Sequence, residues 1–385
     1  MSVPVVIVSG LHPEPRSALV DRLLTDHPGS MAIHHDLREV STGRVERVVR
    51  DASGTLDLQE VRLAHGCVTC TVREDLIPEL LARAHSTPLL IVELWDSVEP
   101  RTVAEALAWH EDTVHRLRLT GVLTALDAAR TTDDISCDDT LAAHGKHAAA
   151  GDTRHLAEVL TRQIEYATAL IVSGTDEEDI ELTLAVLGHL APTTPAAPPD
   201  RTLPTVTGTR IDVEMLGARV DPATAQLPCD AQTGEISTVV WHRLRPLHPQ
   251  RLFDAVDELV TETVRSRGRF WLANRHERLL AWDAVAGVIT IEDAGPWLVT
   301  LPEAAWETQS PARRMAATLD WTPQLGDRVQ HLVFTGPDLD RDRIHRLLDS
   351  CLLTETETLA GSDIWATYPD PFAFVLDLDL KETSA

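Results

Sequence analysis

The amino-acid sequence predicts an α/β protein in which a parallel-sheet domain over residues 1–200 precedes a smaller α+β domain over residues 236–356. Strand and helix patterns alternate along the first half, which is typical of a parallel sheet with helical crossovers. The second half contains short strands between turn signals together with two helical stretches. A proline-rich stretch at 192–204 ends the first half, so we assign residues 201–235 to a linker and residues 357–385 to an acidic, extended tail.

Each buried strand of the first half is predicted from a short apolar run that ends at a turn residue. The predicted strands are 4–10, 31–33, 57–63, 88–93, 119–126 and 169–173, and the helical patterns are 17–24, a helix ending near 83, 103–107, 156–167 and 177–190. The acidic, histidine-rich segment 131–155 is predicted to be an exposed loop that leads into a helix, and metal buffering is its alternative interpretation.

The strands of the second half are predicted from alternating apolar residues and the helices from amphipathic spacing. The predicted strands are 235–243, 270–273, 279–282, 288–291, 297–300 and 330–335, and the predicted helices are 249–266 and 341–352. Most of the nine tryptophans fall in this half, where we expect them to fill the core.

Charge and composition exclude several classes of function. A formal net charge of −26 repels phosphate backbones, which argues against direct DNA or broad RNA contact and favours a basic protein partner. The chain has no apolar run of the ~18 residues that a membrane-spanning helix needs. Five cysteines, without a basic leader at the N-terminus, indicate a cytoplasmic protein with no disulfide framework.

A CxxC pair, Cys67 and Cys70, follows Gly66 and directly precedes a helical pattern. Two thiolates one helical turn apart can share one ion, so in a reducing cytosol the spacing suits a soft divalent metal, although redox motifs and chance also produce CxxC. The alternative interpretation is that both cysteines pack in the sheet without a ligand.

The loop after the first strand occupies the place of a phosphate-binding P-loop, whose pattern GxxxxGK[ST] supplies converging amides, a lysine and a magnesium-binding hydroxyl. Across positions 10–17 the chain retains Gly10 and Ser17, and Arg16 replaces the lysine. Two prolines within the loop remove amide donors, and a glutamate adds negative charge where phosphate would lie. Weak or absent nucleotide binding is the prediction.

Two further metal ligands are predicted after the second strand. His34 would supply an imidazole and Glu39 a carboxylate, completing a tetrahedral zinc site with the two thiolates. The alternatives are a polar loop after an edge strand at 34–40, or His65 as the imidazole ligand.

These motifs together resemble the CobW family of P-loop metallochaperone GTPases over nearly the whole chain, to about residue 357. Gly66-Cys67-Val68-Thr69-Cys70 resembles the family's GCxCC metal motif with threonine at the middle cysteine. The segment 93–100, which begins at Glu93, resembles the Walker B region, and Asp176 is the one retained residue of the guanine-reading NKxD motif. The resemblance implies a P-loop GTPase-like N-terminal domain in which Glu93 and Ser17 hold magnesium.

The second half is similar to the CobW C-terminal domain in segments 245–249, 267–273, 295–297 and 326–328. One mycobacterial-type subgroup of the family, whose members recruit a ribosome hibernation factor, resembles the chain more closely than the metallochaperones do. That resemblance implies a partner that is a basic hibernation factor, together with the ribosome.

The leading hypothesis is a zinc-responsive adaptor on a GTPase scaffold with weak or absent GTP hydrolysis, acting in ribosome hibernation when zinc is limiting. The enzyme alternative is a GTP-dependent metallochaperone that delivers zinc to client proteins, and it requires GTP and Mg²⁺ as ligands. A third hypothesis makes residues 236–356 the partner-binding part and the first half a structural support.

Overall fold

The computed structural model describes residues 2–85, 87–149, 151–199, 206–224 and 226–377. The chain divides into two compact units, Met1–Gly217 and Ala218–Ala385. The predicted boundary near residue 200 therefore lies a little upstream of the observed division.

The first unit is built on an eight-stranded sheet in the order β4-β3-β2-β5-β1-β6-β7-β8. Its strands are β1 Val3–Ser9, β2 Met31–Asp36, β3 Arg44–Asp51, β4 Gly54–Arg62, β5 Leu90–Glu93, β6 Leu117–Asp127, β7 Ala169–Ser173 and β8 Ala196–Ala197. Strands β2, β5, β1, β6, β7 and β8 run parallel, whereas β3 and β4 extend the sheet in antiparallel fashion from β2. The predicted parallel α/β sheet is thus confirmed.

Helices connect the parallel strands, as the alternating pattern predicts. They are α1 Pro13–Asp26, α2 Val68–Thr71, α3 Ile77–Arg83, α4 Pro100–Trp109, α5 Glu111–Val114, α6 Ala128–Asp134, α7 Leu156–Glu165 and α8 Glu177–Leu190. A π-helical turn, Val72–Leu76, joins α2 to α3. No described helix is long and apolar enough to cross a membrane.

The antiparallel pairing of β2, β3 and β4 corrects one interpretation of the sequence and adds one strand that the sequence did not predict. The polar-loop alternative for 34–40 is wrong at its start, because β2 continues to Asp36 and pairs with β3. Strand β3 was not predicted, because its arginines and glutamate interrupt the apolar pattern even though Val45 and Val49 are buried. A strand with one face on the core and one in solvent gives only a weak apolar signal.

The described part of the predicted linker is ordered. Ile211 donates its amide to the carbonyl of Leu119, and Arg118 donates to the carbonyls of Thr207 and Gly208. Helix α9 follows at Val213–Val220. Residues 206–217 thus belong to the first unit. Residue 200, the predicted end of the first domain, and residues 201–205 and 225 of the predicted linker lie outside the described part of the chain.

The second unit is built on a six-stranded antiparallel sheet in the order β13-β12-β11-β14-β10-β9. Its strands are β9 Ala231–Thr233, β10 Ile236–Arg243, β11 Arg265–Phe270, β12 Arg278–Val285, β13 Val288–Pro296 and β14 Gln330–Pro337. Its helices are α10 Pro249–Thr261, α11 Glu303–Trp306, α12 Pro311–Asp320, α13 Arg341–Cys351, α14 Glu355–Ala360, α15 Ser362–Trp365 and α16 Ala373–Leu376.

Tryptophans fill the core of this unit, as the sequence predicts. Trp241, Trp271, Trp282 and Trp297 are fully buried. The predicted strand at 297–300 is wrong, because Leu298–Thr300 forms a 3₁₀ turn, and helix α12 was not predicted.

The prediction of an extended tail is wrong for residues 357–377, which form short helices packed on the second unit. Phe372 and Leu376 are buried in the same core cluster as Trp241 and Trp282. Arg275 pairs with Asp370 at 2.6 Å and with Asp377 at 2.9 Å. The C-terminal segment is therefore part of the folded unit.

We expect Phe372→Ala to lower the free energy of unfolding of the second unit by ~3 kcal/mol, because it leaves a cavity in the core. Phe374→Ala, at a side chain that is 64% exposed in the same segment, should change it by less than ~0.5 kcal/mol. Urea unfolding followed by tryptophan fluorescence measures both. Equal effects of the two variants would contradict the packing of this segment.

Candidate functional site

The carboxyl ends of the neighbouring strands β1 and β5 bring two of the predicted motifs together. Strand β1 ends at Ser9, just before Gly10, and β5 ends at Glu93, with Asp96 three residues further on. In doubly wound sheets, ligands bind at this edge, where the strand order reverses.

The loop between β1 and α1 is too short for a phosphate cradle. Helix α1 begins at Pro13, so only Gly10, Leu11 and His12 connect it to the strand. Gly10 has φ +151°, and a Cβ there would lie 2.4 Å from the carbonyl oxygen of Ala125. This position therefore requires glycine for a close approach to β6.

Arg16 is turned inward, where it is 2% exposed. Its Nη1 donates to the carbonyl of Gly10 at 2.6 Å and lies 2.8 Å from Asp96 Oδ1. Lys146 Nζ donates to the carbonyl of Leu11 at 2.7 Å and to Asp96 Oδ2 at 2.7 Å. The loop thus presents two carbonyl oxygens to two of the protein's own cations, whereas a P-loop presents amide N–H groups to phosphate.

Ser17 and Glu93 are in contact, as a magnesium-binding pair would be. Ser17 Oγ donates to Glu93 Oε1 at 2.9 Å, and Arg50 Nη2 donates to Glu93 Oε2 at 3.1 Å. Burial raises the pKa of Glu93, but the basic side chains around it, His34, Arg16 and Arg50, lower the pKa by more, so that it lies below its ordinary value. The carboxylate is therefore charged, with arginines as its counter-ions.

Taken together, these contacts do not fit a nucleoside triphosphate. The hydroxyl and carboxylate for magnesium are present, but the amide cradle is replaced by a helix start, and Arg16 is engaged by Gly10 and Asp96. Arg16 and Lys146, the cations that could bind a phosphate at this loop, are engaged by Asp96 and by the carbonyls of Gly10 and Leu11.

Asp176, the predicted guanine-reading residue, caps helix α8. Its Oδ1 accepts the amides of Glu178 at 2.9 Å and Asp179 at 3.3 Å. This use of an aspartate at a helix start stabilises the helix without a ligand. Base recognition by Asp176 stays a prediction.

The structure brings Cys67 and Cys70 together. Cys67 caps α2, and its Sγ accepts the amide of Cys70 at 3.4 Å. The hydrogen bond to Cys67, with burial and the charges of Cys67 and Glu74, raises the pKa of Cys70. Both side chains are half-exposed, so a thiophilic ion can reach them from solvent.

Gly66 fixes the thiol loop against the segment that follows β2. A Cβ at Gly66 would lie 1.9 Å from the carbonyl oxygen of Val40, so only glycine allows this approach. The amide of Leu63 also donates to the carbonyl of Gly43 at 2.8 Å. These contacts place the cysteines beside the segment that carries Glu39.

His34 and Glu39, the other two predicted ligands, have partners of their own. His34 Nδ1 donates to the carbonyl of Glu93 at 3.0 Å, which leaves Nε2 as the nitrogen available to a metal. Burial lowers the pKa of His34, which favours the neutral imidazole that binds metals. Glu39 is exposed and pairs with Arg44 at 3.2 Å.

Among the described residues, no three His, Cys, Asp or Glu side chains are grouped so that they could hold a metal. The four-residue zinc site is therefore not assembled in this structure and stays a prediction. The donor types suit zinc, and the thiol pair is in place. His65, the alternative imidazole, is exposed at the start of the same loop.

The helix that carries the thiols is anchored to the antiparallel extension through Asp75. Asp75 accepts from His35 Nε2 at 2.7 Å and from Arg47 Nη1 at 2.8 Å. Asp75 lies in the π-helical turn, a feature that is frequent at functional sites. The thiol helix and strands β2 and β3 are thereby held as one body.

Cys67 also lines a cleft of ≈ 350 Å³ beside Glu99, Asp152 and Arg154. Arg154 donates to Glu99 at 3.0 Å and to Asp152 at 2.9 Å. Burial would raise the pKa of Asp152, but Arg154 and the amide of Ala148 lower it to about 2. These carboxylates are committed to Arg154, so they do not add ligands to the thiol pair.

The sequence did not predict that Lys146 contacts the nucleotide loop. It is one of only two lysines among 34 basic residues, and that rarity was the available signal. Arg50, which joins Glu93 to Asp21, was missed because it lies on the unpredicted strand β3.

The fold and the two motifs define the class of protein: a P-loop GTPase-like domain followed by an antiparallel-sheet domain. Two family models match the chain, "CobW/HypB/UreG, nucleotide-binding domain" over residues 4–195 and "Cobalamin synthesis protein cobW C-terminal domain" over residues 236–352. The chain belongs to the CobW family.

Curated relatives match over nearly the full length. A Mycobacterium tuberculosis protein named a zinc chaperone is 29% identical, and the match covers 97% of this chain and 93% of that protein. The zinc-regulated GTPase metalloprotein activator 1 of Dictyostelium discoideum is 25% identical, with coverage of 99% and 86%. A solved structure of the zinc-bound YjiA GTPase from E. coli matches with 14% identity and a TM-score of 0.37, covering 92% of this chain and 100% of that chain.

Because Arg16 is the buried partner of Asp96, its removal should destabilise the protein. We expect Arg16→Ala to lower the free energy of unfolding by ~3 kcal/mol, the lower end of the range for breaking a buried ion pair, since Lys146 still faces Asp96. Arg101→Ala, which breaks an exposed pair with Glu105, should cost no more than ~0.5 kcal/mol.

Urea unfolding followed by far-ultraviolet circular dichroism compares the two variants. If Arg16→Ala and Arg101→Ala unfold alike, Arg16 does not have the structural role that its contacts describe.

Proposed function

We propose that this CobW protein is a zinc-responsive adaptor that works without a GTP cycle. The observation that carries the proposal is the inward Arg16, which with Lys146 turns the nucleotide loop into an internal ion network. A protein that keeps a thiol pair in contact with solvent but fills its phosphate site retains a response to metal and loses the response to nucleotide. The names of the relatives, zinc chaperone and zinc-regulated GTPase metalloprotein activator, support the link to zinc.

The finer proposal is that the adaptor brings a basic ribosome hibernation factor to the ribosome in the cytoplasm when zinc is limiting. Its support is the net charge of −26, which suits a basic protein partner, and the sequence resemblance to the mycobacterial-type recruiting proteins called Mrf. A zinc-sensitive contact with the partner would then replace nucleotide hydrolysis as the switch.

A GTP-dependent zinc metallochaperone is the second candidate. The hydrogen bond between Ser17 and Glu93 favours it, because these are the groups that would hold magnesium in a working site. This candidate requires Arg16 to leave Asp96 and Gly10 so that phosphate can enter.

The zinc site is tested by metal content. We expect the wild-type protein to bind one zinc ion per chain and the Cys67→Ala/Cys70→Ala variant to bind none. Cys229→Ala, at an exposed cysteine, is the matched control and should retain the ion. If all three proteins bound the same amount of zinc per chain, Cys67 and Cys70 would not be the zinc ligands.

Nucleotide dependence is tested by titration with a fluorescent GTP analogue in the presence of Mg²⁺. We expect no binding in the micromolar range, because the loop offers carbonyl oxygens in place of amides. Micromolar, magnesium-dependent binding to the wild-type protein would overturn the adaptor proposal in favour of the metallochaperone.

The partner is tested by co-sedimentation of this protein with ribosomes, with and without a purified hibernation factor, at high and low zinc. We expect the factor to sediment more efficiently when this protein is present and zinc is chelated. If sedimentation of the factor changed neither with this protein nor with zinc, the hibernation role would be contradicted. The zinc site would then be judged by the measurement of metal content alone.

A further inference from the structure

Strand β4 is a long, open edge of the first sheet. It contains nine residues, and no strand of the described chain pairs with its outer side. The opposite edge strand, β8, has only two residues. Proteins usually keep edge strands short or covered, because unpaired N–H and C=O groups accept another strand.

Most side chains of β4 are exposed, and only Asp57 and Val61 are half-buried. Leu56 is 48% exposed and Leu58 is 58% exposed. Apolar side chains on an open edge lose contact with water only if a further strand packs beside them. Backbone and side chains therefore both leave room for one more strand.

A row of carboxylates crosses the sheet toward this edge. Asp36 of β2 lies opposite Glu46 of β3, and Glu46 lies opposite Glu60 of β4. Like charges that are directly opposite on one face destabilise a sheet. Arg38 pairs with Asp36 and Arg62 lies 3.5 Å from Glu60, whereas no ion pair is found for Glu46 within the described residues.

Two residues along β4, the next row is apolar. Leu58 lies opposite Val48, which lies opposite His34. A strand added outside β4 would thus meet a carboxylate at one position and an apolar side chain two residues away on the same face.

We propose that the outer edge of β4 binds an extended segment of a basic protein as an additional strand. The segment has a lysine or arginine that faces Glu60 and an apolar residue, two positions along, that faces Leu58. Main-chain hydrogen bonds to the open edge would supply affinity, and the charged and apolar rows would supply specificity. The net charge of −26 favours the approach of a basic chain.

A second copy of this chain fits the edge poorly. Arg62, the last residue, is the only basic residue of β4. An antiparallel pairing that placed it opposite Glu60 of the other copy would overlap only at residues 60–62. Longer overlaps would place no basic residue of the other copy's β4 opposite Glu60. This proposal does not depend on zinc or on the hibernation factor.

The test uses two capped synthetic peptides, matched in length to β4, in which threonine alternates with lysine and valine or with glutamate and valine. Fluorescence anisotropy gives the affinity, and amide hydrogen exchange shows where the peptide binds. We expect the lysine peptide to bind at least ~10-fold more tightly than the glutamate peptide, equivalent to ~1.4 kcal/mol, and to slow exchange at residues 54–62.

Glu60→Lys should reverse the preference between the peptides, and Leu58→Lys should weaken binding of the lysine peptide. Glu181→Lys, an equal charge change at an exposed position of α8, is the control and should leave both affinities unchanged. Thermal unfolding confirms that the three variants, all at exposed positions, are folded.

Three results would overturn the proposal: no binding of either peptide, binding without slowed exchange in β4, or an unchanged preference in Glu60→Lys. Slowed exchange in β4 that grows with protein concentration in the absence of peptide would assign the edge to a second copy of the chain.

Discussion

The buried contact between Arg16 and Asp96 is the interaction on which the nucleotide-binding half of the molecule depends. Two segments meet through it, the start of α1 and the loop after β5, and Lys146 adds a third from a distant part of the chain. Because Glu93 belongs to the same network, the groups that could bind magnesium share their counter-ions with the fold itself. Any movement of this edge of the sheet would therefore have to break buried ion pairs.

The thiol loop differs from the nucleotide loop, because its backbone is held by buried contacts while its two thiol groups are accessible to solvent. Gly66 lies against Val40, and Asp75 ties the helix to His35 and Arg47, yet the two cysteines remain half-exposed. The predicted nucleotide loop and the thiol pair thus differ in their access to solvent. The loop is closed by internal charges, and the thiol pair stays available to solvent.

The parts of the fold that the sequence could predict are those with local signals. Helix α8 was predicted at 177–190 and begins and ends there, because Asp176 caps it and its apolar residues recur with helical spacing. The prediction of weak or absent nucleotide binding also rests on local signals, since the prolines and the glutamate act at their own positions. Lys146 was not, because no local pattern tells which loop will fold back onto Leu11 and Asp96. The packed C-terminal segment was missed because its acidic composition obscured Phe372 and Leu376, two apolar residues at helical spacing.

The carbonyls of Gly10 and Leu11, which accept hydrogen bonds from Arg16 and Lys146, bear on which substitutions could open this loop to a phosphate. A lysine at position 16 would by itself leave the carbonyl of Leu11 and the carboxylate of Asp96 bound to Lys146. A phosphate would also need the amide donors that the two prolines of this loop lack. Nucleotide binding therefore depends on several positions of the loop together, and a single substitution at Arg16 would not supply it.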